Sequence, residues 1–138
     1  MMTLIAAALT FFAALCTRWY LNRSSRRDTR HFHGHVILTA VWNKGAAFAL
    51  PISRKVVTAV SFVTLAAAWC QRRTSRLGAG LVMGGGFANL YERLCHERVY
   101  DYVRFPKAPG RWKNYVYNLA DFAIGLGALL FLFRRKKR

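Results

Sequence analysis

The chain has 138 residues, 54% of them hydrophobic, with 22 Lys and Arg against five Asp and Glu and a formal net charge of +17. Its length suggests one domain, spanning 1–138, and its apolar content excludes a disordered tail or linker. The charges sit between long stretches with almost none rather than along amphipathic periods, which argues against an ordinary soluble basic domain and for a bilayer.

Residues 1–15 carry no charge and predict a first helix over about 1–20. The run lacks the basic flank and small-x-small cleavage site of a removable signal peptide. Next comes a surface segment over about 21–55, opening on Arg23, Arg26, Arg27 and Arg30. His31, His33 and His35 follow; alternation would put all three imidazoles on one side of a strand, where they could ligate zinc, against the plainer reading of a solvated interfacial segment. Val36-Ile37-Leu38-Thr39-Ala40-Val41-Trp42 is β-branched and too short to span, so it predicts a strand outside the membrane.

Helices are predicted over about 56–70 and 77–94, and a second surface segment over about 95–114. That segment holds another strand candidate, Val99-Tyr100-Asp101-Tyr102-Val103-Arg104-Phe105, and a turn at Pro109-Gly110. A fourth helix is predicted over about 115–133. The first three apolar runs fall short of the roughly 20 residues that cross a bilayer, and Arg18, Lys55 and Arg72 are expected to snorkel to make up the difference. The fold class expected is a membrane protein, mainly α, with four transmembrane helices and a small antiparallel β-cradle outside the membrane. Gly80 and Gly84, continued by Ala88, predict a close-packing ridge bringing Asn89 toward the fourth helix.

Parity puts both termini on one side, with Arg72, Arg73, Arg76 and the basic tail from Arg134 to Arg138. The remaining basic residues lie opposite in longer connections, so charge counting leaves orientation open. The tail suits anionic phospholipid heads. Nucleic-acid binding is disfavoured because no recognition fold accompanies the charge. Trp42, Trp69, Trp112 and Tyr20 suit interfacial anchoring. Cys16, Cys70 and Cys95 read as small apolar packing residues, not a disulfide framework.

The acids are Asp28, Glu92, Glu97, Asp101 and Asp121. Asp121 falls about two turns into the predicted fourth helix, where an ionised carboxylate costs roughly 2.5–3.5 kcal/mol at mid-bilayer. Asn43, Asn89, Arg93, Asp101, Asn118 and Asp121 can all converge near one membrane surface. Two carboxylates close enough to share a proton cannot both ionise easily. The charged one can draw a proton from water while the neutral one donates to a carbonyl oxygen or leaving amine, which hydrolyses a peptide bond without metal or cofactor. The competing account is a salt bridge in which Asp121 or Asp101 neutralises Arg93 or Arg98.

The segments Asn43-Lys44-Gly45-Ala46-Ala47-Phe48, Gly84-Gly85-Gly86-Phe87-Ala88-Asn89-Leu90-Tyr91-Glu92-Arg93, Val99-Tyr100-Asp101-Tyr102 and Tyr117-Asn118-Leu119-Ala120-Asp121 resemble, in order and spacing, the blocks of the lipoprotein signal peptidase (signal peptidase II) family. The resemblance implies an inner-membrane aspartyl endopeptidase that cuts the signal peptide from a prolipoprotein just before its diacylglyceryl-modified Cys. It implies Asp101 and Asp121 as the catalytic pair. Asn43, Gly45, Ala47, Asn89, Arg93, Asn118 and Ala120 fall where the family shapes or supports its site. It further implies a multi-pass protein of the bacterial inner membrane, both termini cytoplasmic, with an outer-surface cradle and the site near the outer face. The chain is read as a monomer whose partners are the prolipoprotein and membrane phospholipid, with no metal. The sequence departs from the family pattern at Ala14 and Arg18, where Asp and Lys are usual, and at Ala88, Glu92 and Tyr117. Those departures and the charge keep open a second reading, a non-enzymatic basic membrane protein binding anionic lipid or a partner helix.

Overall fold

A computed structural model of the protein describes residues 1–24, 28–44 and 50–134. Its four helices are α1 (Met2–Arg23), α2 (Arg54–Cys70), α3 (Arg76–His96) and α4 (Leu119–Phe133). Side-chain caps set three of the starts. Ser53 accepts from the Val56 amide, Ser75 from the Gly78 amide and Asn118 from the Asp121 amide, each satisfying a donor that the first turn leaves unpaired.

Helix α3 is the spine, packing along both α1 and α4, while α2 leans on α3. Small residues allow that closeness. A Cβ on Gly84 would lie 2.5 Å from the Ala7 carbonyl oxygen of α1, and one on Gly85 would lie 2.6 Å from the Ala120 carbonyl oxygen of α4. The expected ridge therefore resolves into two. Gly80, Gly84 and Ala88 face α1, and it is Gly78 and Gly85, not Gly80 and Gly84, that draw the Asn89 face onto α4. Large apolar side chains point outward, among them Leu9 and Phe12 of α1, Val60 and Val63 of α2, and Leu126 and Leu132 of α4. That inversion suits lipid contact outside and small-residue contact inside. By length and composition α1 can cross a membrane; α4, with 15 residues, is apolar but shorter.

The strands are β1 (Thr29–His31), β2 (Val36–Asn43), β3 (Val99–Arg104) and β4 (Val116–Tyr117), forming one antiparallel sheet in that order. The β2–β3 pairing is the one expected, and β1 and β4 extend it. An irregularity between Leu38 and Val41 puts Val41 opposite Asp101 and Asn43 opposite Val99. Such a bulge re-aims the end of a strand, here toward the helices. In β3, Val99, Tyr100, Asp101 and Tyr102 are all buried.

Several expectations are corrected. The fourth helix begins at Leu119, not 115, because Asn118 caps it and Val116–Tyr117 joins the sheet. Asp121 thus stands in the first turn rather than two turns in. Arg18 does not snorkel. It is 3% exposed, because its guanidinium finds partners on α3. The histidines do not alternate along one strand: Phe32–Gly34 forms a 3-10 turn with His33 at φ 54°. Among the described residues no three His, Cys, Asp or Glu side chains are grouped to hold a metal. Cys16, Cys70 and Cys95 are unpaired and exposed rather than packed in the core.

Candidate active site

Where β3 crosses the ends of α3 and α4, five polar side chains meet. Asn118 joins them. As cap of α4 it accepts from the Asp121 amide at 3.1 Å, while its own amide N–H donates to Asp121 Oδ2 at 2.9 Å, a reciprocal capping box. The positive end of the helix dipole favours a carboxylate at this position. The neighbouring Leu119 amide donates to the Tyr102 hydroxyl at 2.9 Å, so β3 and α4 are clamped together at the site.

Each carboxylate oxygen receives an N–H. Asp101 Oδ1 accepts from Asn118 Nδ2 at 2.7 Å and Oδ2 from Asn43 Nδ2 at 3.3 Å. Asp121 Oδ1 accepts from Asn89 Nδ2 at 3.0 Å. Asn89 Oδ1 in turn accepts from Asn118 Nδ2 at 3.3 Å and from the Arg18 guanidinium. One residue, Asn118, therefore touches both acids. Asp101 is 5% exposed, and burial first, then the charge of Asp121, lifts its pKa to about 7 against the pull of its two asparagine donors and Arg18. Burial likewise pushes the Tyr102 phenol up.

Asn43, Asn89, Asn118, Asp101 and Asp121 thus converge as expected. Arg93 lines the same site but forms no ion pair with either acid among the described residues, and its buried Nε has no hydrogen-bond partner. Arg98 stacks over Trp42 instead, 4.3 Å from the ring centre. The salt-bridge account of the two acids is therefore not met; among the described residues the ion pair is Arg54 with Glu97, at 2.8 Å. Ala120 is fully buried with Ala14 and Ala88 and contributes packing. Gly45 and Ala47 lie outside the described residues.

The sequence marks Arg18 as a snorkelling flank and a departure from the family pattern, Glu92 only as such a departure and Tyr102 only as part of a matching block, and gives none of the three a part in the site. Glu92 is buried and accepts the Tyr100 amide at 3.3 Å, tying α3 to the strand that carries Asp101. The available signal was a charge inside or beside an apolar helical run, which Arg18 and Glu92 both present.

A cavity of about 450 Å³ runs from these acids between α2, α3 and α4. Asn43, Asn89, Asn118, Asp101 and Asp121 line one end, and Val56, Val60, Leu65, Val82 and Ile124 line the rest. It can hold a polar bond at the acids with apolar chain alongside.

A family model described as signal peptidase (SPase) II matches residues 5–135. The chain belongs to the signal peptidase II family. That family is one of proteases. The chain is 32% identical over 139 residues to a lipoprotein signal peptidase of Shewanella baltica (strain OS155), covering 91% of this chain and 80% of that protein. It is 33% identical over 108 residues to the lipoprotein signal peptidase of Nitrobacter hamburgensis, covering 70% of this chain and 66% of that one. Two solved structures described as a bacterial membrane enzyme, determined by the in meso method, share the fold. At 2.3 Å the match has TM-score 0.78 and 14% identity, covering 99% of this chain and 92% of the other. At 1.9 Å it has TM-score 0.78 and 15% identity, covering 94% and 89%. Both structures share the fold seen here, with its four helices and antiparallel sheet.

Proposed function

We propose that this member of the signal peptidase II family is an intramembrane aspartyl endopeptidase that cuts the signal peptide from diacylglyceryl-modified prolipoproteins, immediately before the lipidated Cys. The observation that carries the reading is the joining of Asp101 and Asp121 through Asn118 at the polar end of an apolar cavity. Two coupled carboxylates retain one proton between them near neutral pH. Asp101, buried and lifted to about 7 in part by Asp121, keeps the pair from losing that proton, which belongs to both acids.

A water held between the acids gives a proton to the charged carboxylate as its oxygen attacks the scissile carbonyl, and the neutral carboxyl gives its proton to the carbonyl oxygen. Collapse of the tetrahedral intermediate breaks the C–N bond. The leaving amine takes a proton from the pair as a hydroxyl of the diol re-forms the C=O and gives its proton back to the pair; the new acid keeps the water oxygen, and one proton again rests between the aspartates. Asn43, Asn89 and Asn118 hold the carboxylates in place, Ala120 keeps α4 close, and Arg93 faces the substrate chain; Gly45 and Ala47 keep the supporting part that the family resemblance implies. The apolar length of the cavity suits the acyl chains and the hydrophobic signal peptide.

The membrane arrangement belongs to the same proposal. The single domain crosses the inner membrane four times, with both termini cytoplasmic and the sheet and site at the outer face. Helix α1, with 22 residues, is about 33 Å long, matching the roughly 30 Å hydrocarbon core. The 15 residues of α4 reach only about 22 Å, so the bilayer thins around it. The chain acts as a monomer in contact with anionic phospholipid.

The test is cleavage of a diacylglyceryl-modified precursor peptide in detergent by the parent protein, Asp101→Asn and Asp121→Asn. The parent cuts the lipidated peptide and not its unlipidated twin, and both variants are inactive. Retained cleavage in either variant overturns the aspartyl mechanism; an inactive parent supports the non-enzymatic reading.

A further inference from the structure

Arg18 is an unusual group to bury. It lies on α1, 3% exposed, and none of the steps above uses it. Its guanidinium donates to the Ala88 carbonyl oxygen at 3.0 Å and, through the other terminal nitrogen, to Asn89 Oδ1. Arginine has N–H groups and no acceptor. Whatever amide faces it must therefore present oxygen, never nitrogen. With Asn89 Oδ1 held on that side, Asn89 Nδ2 is obliged to face Asp121, where it donates at 3.0 Å. The Ala88 contact fixes the guanidinium itself, because a backbone carbonyl in a packed helix does not move.

We infer that Arg18 is a positioning residue of the proteolytic reaction: by donating to Asn89 it sets the direction of that amide and so points an N–H, not a lone pair, at Asp121. The inference rests on the peptidase reading. Asn118 Nδ2 shares Asn89 Oδ1 with the guanidinium, but at 3.3 Å and as the longer of its two bonds. Without Arg18 that one bond is left to hold the amide against turning over to offer Oδ1 to Asp121, an arrangement that only a protonated Asp121 tolerates. The groups whose charges bear on Arg18 are Glu92 and Arg93 of α3, Asp101 and Tyr102 of β3 and Asp121 of α4, so loss of Arg18 also removes a positive charge from around the acid pair.

The experiment uses the full chain in detergent, with the lipidated precursor peptide as substrate, and follows Arg18→Met, Arg18→Gln, Asn89→Ala and the Arg18→Met/Asn89→Ala double variant. Folding is checked by thermal unfolding. Arg18→Gln stays polar but is two bonds shorter, carries no charge and has an acceptor as well as a donor, so it loses the reach and the donor-only character together. Both Arg18 variants are expected to lower kcat by about 10- to 100-fold with KM within about twofold, as removal of an interaction made for the reaction requires. The pH profile of kcat moves upward by about one pH unit, because loss of the positive charge favours protonated acids. In the Asn89→Ala background the Arg18→Met change costs less than about threefold, since the amide it directs is gone. A purely structural role would instead lower melting temperature and total activity, leave the pH profile in place and add to Asn89→Ala. Additive losses, or an unmoved pH profile in Arg18→Gln, overturn the inference. If the parent itself does not cleave the peptide, it is the peptidase reading that fails.

Discussion

Replacing Asp101 with Asn is expected to abolish cleavage and, at the same time, to stabilise the fold above neutral pH. Burial and Asp121 lift the Asp101 carboxyl from 3.8 to about 7, so the folded protein holds this proton more tightly than the unfolded chain does. The stability lent by the bound proton is complete below about pH 4 and is lost as pH rises through about 7. At about 1.4 kcal/mol per pKa unit the whole decline is about 4 kcal/mol. Asn carries no charge and escapes it. The replacement sets an N–H against one of the two donors, Asn118 or Asn43, which takes back about 1–2 kcal/mol. The net gain above pH 7 is about 2–3 kcal/mol, or roughly 5–10 °C in melting temperature for a chain of this size. Thermal unfolding in detergent at pH 4.5, 6 and 8 checks it: the gap between variant and parent widens with pH. A variant that melts below the parent at pH 8, or a gap independent of pH, would refute the buried-carboxyl account.

Asn118→Asp keeps a good helix cap but loses the Nδ2 donor shared by Asp101 and Asn89, whereas Asn118→Ala loses the cap as well. Both are expected to be inactive in the cleavage assay, and Asn118→Ala alone loses the further ~1 kcal/mol of a cap at pH 4.5. Gly85→Ala places a methyl 2.6 Å from the Ala120 carbonyl oxygen, so α3 and α4 must part. Its cost is about 1–3 kcal/mol in the same unfolding assay, with kcat reduced as Asn89 withdraws from Asp121. Glu92→Gln still accepts the Tyr100 amide and melts within about 1 kcal/mol of the parent, while Glu92→Ala strands that buried N–H at a cost of about 1–3 kcal/mol.

The large features of the fold were legible because bilayer chemistry separates charge from apolar runs so sharply. The four helices fall within a few residues of expectation, and the β2–β3 pair follows from β-branched runs too short to cross. What misled was the start of α4. Hydropathy places Tyr115, Val116 and Tyr117 in the apolar run, yet Asn118 and Asp121 make a capping box that only hydrogen-bond geometry distinguishes from a polar helical face. The two strands missed, β1 and β4, are three and two residues long and owe their form to the neighbours they pair with. Among site residues, the asparagines and aspartates could be named because polar groups in an apolar helix have few reasons to exist. Arg18 stands out in the sequence only as a snorkelling flank and as a departure from the family's Lys, and its part shows only through its partners on α3.

On the proposed reading the acid pair keeps a single proton, and formal charge supplies a reason. Burial gathers Arg18, Arg93, Glu92 and Asp101 there, with Asp121 half-buried beside them. With every group ionised the cluster carries two positive and three negative charges, and an uncompensated charge in a low-dielectric site is costly. One proton placed between Asp101 and Asp121 makes the cluster neutral. The direction of the hydrogen bonds agrees with that count. Arg18 donates to Asn89, Asn89 donates to Asp121, and Asn118 and Asn43 donate to Asp101, so the chains of N–H groups all run toward the carboxylates and end there. No acceptor in the network asks for a proton except the acids themselves. The same ledger makes Arg18 more than a brace: remove it and neutrality requires a second proton on the pair, the state in which neither carboxyl can take one from water.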